Sequence, residues 1–535
     1  MSAWSRLRSV AAWLLAVPLL VTAVLAAGSR PADAANVVPA QWIAKVYTEG
    51  LGRAPDQTGW ANMIAFFQSN GCSAATLAQK GEQIYTSSEF SGLAYDNAGR
   101  LLALYRGALN REPDSSGYNF YLNQLNSGTS WTAVVDDIFT SSEFTNDAAT
   151  FCTQGPYYFG GAPAITIPLG QGCSGQFCFT SGTQSQLQDM LNNAEATDAT
   201  VTLAQQVVVS IANLYQPPGW SRSVGLYIPA GVTLTTAGQP GPNRYAEMGR
   251  LVRAQTFGET ATTAVPVVEI ASGAKLENVW VDGQRKDRTD SQSATVNVEI
   301  DGGSGAAVSS DRLSDAIGFT NLHALGTAEG PPCSSTTVTG NLSTQFATDH
   351  VDTGDWSDGL SVACENATVT GNTIIDATDV GIVLFRACPA DQKSTVADNT
   401  ILNAGNSAFG GIVTDPLDHP ACSPSFAGSS VTGNTLWTGP TASYGIGLSL
   451  GSAAWFSDPN IGTGASFTSN TLTGNVTEGL AVSGMLNVTA TGNTLNVTLG
   501  QHTKSCPEGE IVVDPQRGSG TIQQPITQAT VLSCI

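Results

Sequence analysis

The chain is poor in charge. Only 12% of its 535 residues are Asp, Glu, Lys or Arg, and 22 Lys plus Arg stand against 43 Asp plus Glu, a formal charge of −21. A surface so short of cations repels polyphosphate, which argues against nucleic acid or an anionic bilayer as partner. Histidine is scarcer still: there are four, none in an H-E-x-x-H arrangement, and the ten cysteines lack paired C-x-x-C spacing, so no zinc site is expected. Past residue 27 no segment reaches the ~18 uninterrupted apolar residues of a membrane helix.

What is present starts with Arg6 and Arg8, an apolar run from Val10 to Ala27, and the small-x-small triplet Ala32-Asp33-Ala34. This reads as a signal peptide over 1–35, with an uncleaved membrane anchor as the rival reading. The expectation is a secreted or cell-surface-associated protein with no membrane span after cleavage. Export allows the cysteines to oxidise. Pairing neighbours gives Cys72–Cys152, Cys173–Cys178, Cys333–Cys364, Cys388–Cys422 and Cys506–Cys534, although spacing alone does not fix connectivity.

Residues 36–150 read as helical and carry a duplication. YTEGLGRAPDQTGW (47–60) and IYTSSEF (84–90) return as YRGALNREPDSSGY (105–118) and IFTSSEF (138–144). Pro55 and Pro113 stop the preceding helix, and Asp56 and Asp114 are placed to cap the next one. Arg53 with Glu89, and Arg111 with Glu143, are candidate pairs within each copy. These motifs resemble a bacterial domain of unknown function found in exported and surface-layer-associated proteins, distantly similar to phycobilisome linker domains. The resemblance implies attachment to a cell-surface component rather than catalysis. A Gly-, Pro- and Cys-rich linker spans 151–180.

Beyond a helix expected at 185–195, one phrase recurs: VTGN (338), VTGNTI (369), VADNTI (396), VTGNTL (431), FTSNTL (467) and ATGNTL (490). Its asparagines, Asn341, Asn372, Asn399, Asn434, Asn470 and Asn493, are 23 to 36 residues apart. A second phrase follows the first five: DGLSV, VGIVLF, GGIV, YGIGLSL and EGLAV. Repeats of this length, made of short strands broken by Gly and Asn, predict a solenoid that buries its apolar side chains by stacking. The fold class expected is mainly β, a parallel β-helix over 181–535 with its first helix as cap, and a small α-helical N-terminal domain. Leucine-rich repeats are excluded because no L-x-x-L-x-L frame exists. The body resembles the right-handed parallel β-helix superfamily of pectate lyases and polygalacturonases, which implies a polysaccharide partner.

TDHVDTGDWSDGLSV (348–362) concentrates carboxylates at Asp349, Asp352, Asp355 and Asp358. Aligning DGLSV with VGIVLF sets Asp379 one place before the equivalent of Asp358 on the next coil, with Asp376 nearby and Asp415 a further coil on. Like charges on adjacent coils raise a carboxyl pKa, and glycoside hydrolysis needs one protonated and one ionised carboxyl. The catalytic candidates are Asp358 and Asp379 with Asp355 and Asp376 beside them; Trp356, Arg386 and His350 are candidate substrate contacts. Two further readings stay open: a calcium site at Asp349, Asp352 and Asp355, and turn chemistry without function. The T-D-G-I and D-D-C motifs of polygalacturonases are echoed by Ser357-Asp358-Gly359-Leu360 and Asp379-Val380-Gly381. Val380 replaces the second Asp, Phe409-Gly410-Gly411 replaces G-H-G, and no R-I-K follows. These absences count against pectin hydrolysis, and the acid-rich face suits a neutral glycan better than a polyuronate; the leading reading is an exported polysaccharide-active protein that hydrolyses glycosidic bonds with paired Asp on adjacent coils. A non-catalytic glycan-binding surface or adhesion protein is the alternative, with a lyase or epimerase third. Gly447-Leu448-Ser449-Leu450-Gly451 spells G-x-S-x-G but falls in a strand phrase rather than a strand-to-helix turn.

Overall fold

The computed structural model describes residues 37–153, 170–255, 257–258, 265–285, 295–325, 333–345, 356–387, 391–405, 407–416, 423–455, 461–502 and 506–529. The signal-peptide reading, the Cys388–Cys422 pair, His350, Asp349, Asp352 and Asp355 lie outside these residues.

Each VTGNTI phrase forms two short strands hinged at the Asn, and each GIV phrase forms a longer third strand. Stacking the coils joins like strands in parallel. Val308, Val338, Val369, Val396, Val431 and Phe467 pair successively on one face. Ile374, Ile401, Leu436 and Leu472 pair on a second. Leu322, Leu360, Ile382, Ile412, Leu448 and Leu480 pair on the third, longer face. All point into one continuous core, so the molecule is a right-handed parallel β-helix. The stack begins earlier than expected: Cys178–Phe179 is already a strand, paired with Thr202–Leu203. The helix Gln184–Glu195 starts at a Thr183/Gln186 capping box and buries Leu187, Leu191 and Ala194 against the first coils.

The recurring asparagines form an amide ladder. Asn341, Asn372, Asn399, Asn434 and Asn470 each donate from Nδ2 to Oδ1 of the next Asn at 2.8–2.9 Å, and Asn493 donates to Gln523. Asn341 to Asn493 also bond a carbonyl of the preceding coil, so the turn amides are satisfied inside a buried corner. The glycine of the second phrase has a different cause. A Cβ on Gly359 would stand 2.5 Å from the Gly381 carbonyl oxygen, and one on Gly381 would stand 2.7 Å from that of Gly411. Only glycine lets the coils close at this corner.

Among the described residues, eight helices from Ala40–Leu51 to Ser142–Phe151 precede the stack. Asp56 and Asp114 cap their helices through Gly59 and Gly117, and Arg53 grips Glu89 as Arg111 grips Glu143. Both pairs are partly exposed and contribute under ~1 kcal/mol each. The helical unit covers the outer side of the second face, sharing a core with Trp280, Leu342, Ile375, Leu402 and Trp437. Arg312, buried in that face, makes a two-point bond to Glu49 at 2.6 and 3.0 Å, and Arg250 reaches Glu112 at 2.7 Å. Burial by itself would raise the Glu49 pKa, but Arg312 and Lys45 hold it down to about 2.

Three of the expected disulfides are present: Cys72–Cys152, Cys173–Cys178 and Cys333–Cys364. Cys506 is also disulfide-bonded. Among the described residues no helix is long and apolar enough to cross a membrane.

Candidate functional site

The third face has its inner side in the core and its outer side lined by two groups of carboxylates. Leu360 and Val362 point inward while Asp358 and Ser361, three apart across the glycine corner, stay outside and meet: Ser361 Oγ donates to Asp358 Oδ2 at 2.7 Å. The backbone N–H of Val380 donates to Asp358 Oδ1 at 3.1 Å. Asp379 sits one residue before Val380, its N–H bonded to Ser357 below and its carbonyl to Gly410 above. Asp415 ends the strand Ala408–Asp415, pairs in register with Phe385, and accepts from the Ser452 hydroxyl.

Burial and the charge of Asp379 push the Asp358 carboxyl well above the usual range, against the pull of its two hydrogen bonds. Burial and Asp415 push Asp379 up to about 7. Asp358 and Asp379, on successive coils of the outer side, thus form a pair that holds a proton near neutrality beside the buried Asp415, and the two titrations belong to the pair.

The other sequence candidates divide. Trp356 is 37% exposed and stands edge-on to Phe409, ring centroids 4.5 Å apart, beside Asp358. Arg386 is half-buried, its guanidinium donating to the Pro416 carbonyl and its N–H to that of Asp415. Asp376 is elsewhere. It turns toward the helical unit, accepting from the N–H groups of Ala404 and Gly405 and from Gln41 Nε2, so it joins domains rather than the carboxylate group. Its left-handed φ of 58° aims it away from the third face. Ser449 is buried in a strand and donates to Gly451. Among the described residues no set of three or more His, Cys, Asp or Glu is arranged to hold a metal ion.

The second carboxylate group was not anticipated. Tyr227, Glu269, Glu299, His323 and Ser361 are successive register partners down the same outer side. One nitrogen of Arg222, Nη2, lies 2.9 Å from Glu269, 3.0 Å from Glu299 and 2.8 Å from Asp301. His323 Nδ1 lies 3.5 Å from Glu299. Burial and Glu299 drive Glu269 well above its ordinary pKa. Burial would do the same to Glu299, but His323 and Arg222 reverse it and leave that carboxyl lowered. The signal was in the sequence, VVEI and NVEI placing a Glu 30 residues apart at one strand position, but these early coils lack the VTGN phrase that anchors the alignment.

Residues 82–148 match a Domain of unknown function (DUF4214). No curated relative matches. Among solved structures the chain is similar to a double mutant of the tailspike protein of E. coli bacteriophage HK620 in complex with a pentasaccharide, at 11% identity and a TM-score of 0.40, covering 65% of this chain. It spans 61% of that tailspike chain's length. It is also similar to endo-xylogalacturonan hydrolase from Aspergillus tubingensis, at 12% identity and a TM-score of 0.38 over 66% of this chain and 100% of that one. Alginate lyase from Paenibacillus sp. strain FPU-7 aligns at 12% identity and a TM-score of 0.30, over 55% and 94%. At these scores the likenesses carry no information about the chemistry of the site.

Proposed function

We propose that the protein is an exported polysaccharide-active enzyme that hydrolyses glycosidic bonds with Asp358 and Asp379. The observation that carries this reading is a carboxyl group that keeps its proton near neutrality, Asp379, on the coil next to a second carboxyl, Asp358, held by two hydrogen bonds. Hydrolysis uses such a pair in two roles. Asp379 delivers its proton to the departing glycosidic oxygen as the C–O bond breaks. Asp358 is raised as well, so the two carboxyls share their protons as one group. The one left ionised, with Asp358 oriented by Ser361 and Val380 for that role, takes a proton from the attacking water or itself bonds the anomeric carbon, while the Asp415 charge favours the protonated form of Asp379. Trp356, partly exposed beside the pair, offers an aromatic surface to a sugar ring. Disulfides in both parts of the chain fit an oxidising compartment.

The test is release of reducing ends from neutral and acidic polysaccharides by the protein and by Asp358→Asn and Asp379→Asn. Both variants are expected to fold and to lose turnover. Equal release by the variants, or binding without any cleavage by the wild type, would move the assignment to a glycan-binding surface.

A further inference from the structure

We propose that Trp220 and Tyr227 form a distal glycan-stacking subsite on the same outer side as the aspartates, so that the substrate is a neutral chain several sugars long lying along the β-helix axis. This rests on the polysaccharide reading of the site but not on its cleavage chemistry.

The subsite is built by a closed loop. In YQPPGWSRSV (215–224), Tyr215 and Val224 bond each other's backbones at 2.7 and 2.8 Å. Pro217 and Pro218 stiffen the turn, Gly219 takes a φ of 83°, and Gln216 holds the Trp220 carbonyl at 2.6 Å. Trp220 stands edge-on to Tyr227 at 5.6 Å, and Tyr215 stacks with Tyr227 at 6.5 Å. All three rings are only half-buried. An aromatic surface left partly open, beside a polar lane, suits the C–H face of a sugar.

Arg222 explains the buried carboxylates. The same register column carries Val383, Val413, Ser449, Ala481 and Val512 in later coils, so the fold has no need of Glu there, and burying carboxylates costs stability. At Glu269, Glu299 and Asp301 they hold Arg222, whose guanidinium lies 4.9 Å from the Trp220 ring centre. Three anchors on two coils thus fix the loop that presents Trp220. Four coil steps separate Tyr227 from Ser361, roughly 19 Å at ~4.8 Å per strand spacing. A bound chain therefore meets rings at Trp220 and Tyr227 and again at Trp356, with Asp358 and Asp379 at the second.

The experiment is calorimetric binding to the Asp358→Asn/Asp379→Asn protein, with and without Trp220→Ala or Trp220→Phe. The probes are soluble xylan, mixed-linkage glucan, galactomannan, polygalacturonate and alginate, followed by two- to eight-sugar fragments of the tightest binder. Trp220→Ala is expected to weaken the eight-sugar fragment by about tenfold and to leave the two-sugar fragment unchanged, with Trp220→Phe recovering most of the loss. Equal losses at both lengths, no loss, tightest binding to polygalacturonate or alginate, or no binding to any probe would overturn the subsite. Trp220-dependent binding by a wild type that cleaves nothing would leave the subsite standing and remove the hydrolase. Cleavage indifferent to Trp220→Ala would do the reverse.

Discussion

Gln41, in the first helix, donates to Asp376 of the β-helix at 3.0 Å across 335 residues of sequence. Asp376 is thereby a joint between the helical unit and the coil stack, and it lies in the same seam as the Glu49–Arg312 and Glu112–Arg250 pairs. Removing one partner of a buried pair strands the other charge, at a cost of about 3–5 kcal/mol. Glu49→Gln is therefore expected to lower the melting temperature strongly. A chain starting at residue 170 would expose Trp280, Ile375, Leu402 and Trp437 and is expected to aggregate. Calorimetry and soluble yield check both; a well-behaved truncated β-helix would show that the helical unit is an accessory.

Asp311 occupies the ladder position before Asn341. Its Oδ1 accepts from Val279 N–H at 2.7 Å, while its Oδ2 is buried without a hydrogen-bond partner. Burial, with Glu277 adding to it, raises its pKa well above the usual value. The native state thus holds a proton that the unfolded chain loses above pH ~4, so this group's destabilisation grows as pH rises from there. Asp311→Asn supplies the missing amide and is expected to raise the melting temperature at pH 7.5 and change it little at pH 4. An unchanged or lower melting temperature at pH 7.5 would mean that the carboxyl has found a partner.

The same sign applies to the proposed acid. Asp379 is raised to about 7, so its ionisation opposes folding from pH ~4 up to about 7. Asp379→Asn is expected to raise stability by a few degrees at pH 8, to leave it nearly unchanged at pH 4, and to abolish turnover at both. A residue serving only as a turn would lose stability at both pH values. Thermal melts at the two pH values separate these outcomes.

Gly381 lies two residues past Asp379 and faces the Gly411 carbonyl. Gly381→Ala forces the coils apart at the corner and is expected to cost about 1–3 kcal/mol. It should also depress cleavage more than Gly371→Ala, whose strain is a φ of 65° confined to an open turn and displaces no neighbouring coil. Parallel melts and rate measurements on the two variants give the comparison.

The repeat was legible because it is written in residues that the backbone itself demands: an Asn for each ladder rung and a Gly where successive carbonyls crowd. Asp358 and Asp379 could be placed from the same grammar, since Leu360 and Ile382 are indeed register partners. Asp376 could not, because which side of a corner a carboxylate faces depends on a left-handed turn and on Gln41, 335 residues away. Arg222 was invisible for a similar reason. It comes from a loop before the recognisable repeats, and only folding carries it across Glu269, Glu299 and Asp301.

The most direct test of the account is the pH dependence of kcat/KM for glycan cleavage, wild type against Asp415→Asn. With Asp379 as acid, activity falls as pH rises through about 7, and removing the Asp415 charge moves that alkaline limb to lower pH. A limb that stays in place in Asp415→Asn, a profile flat from pH 5 to pH 9, or no cleavage of any glycan would contradict the assignment of Asp379 as the catalytic acid.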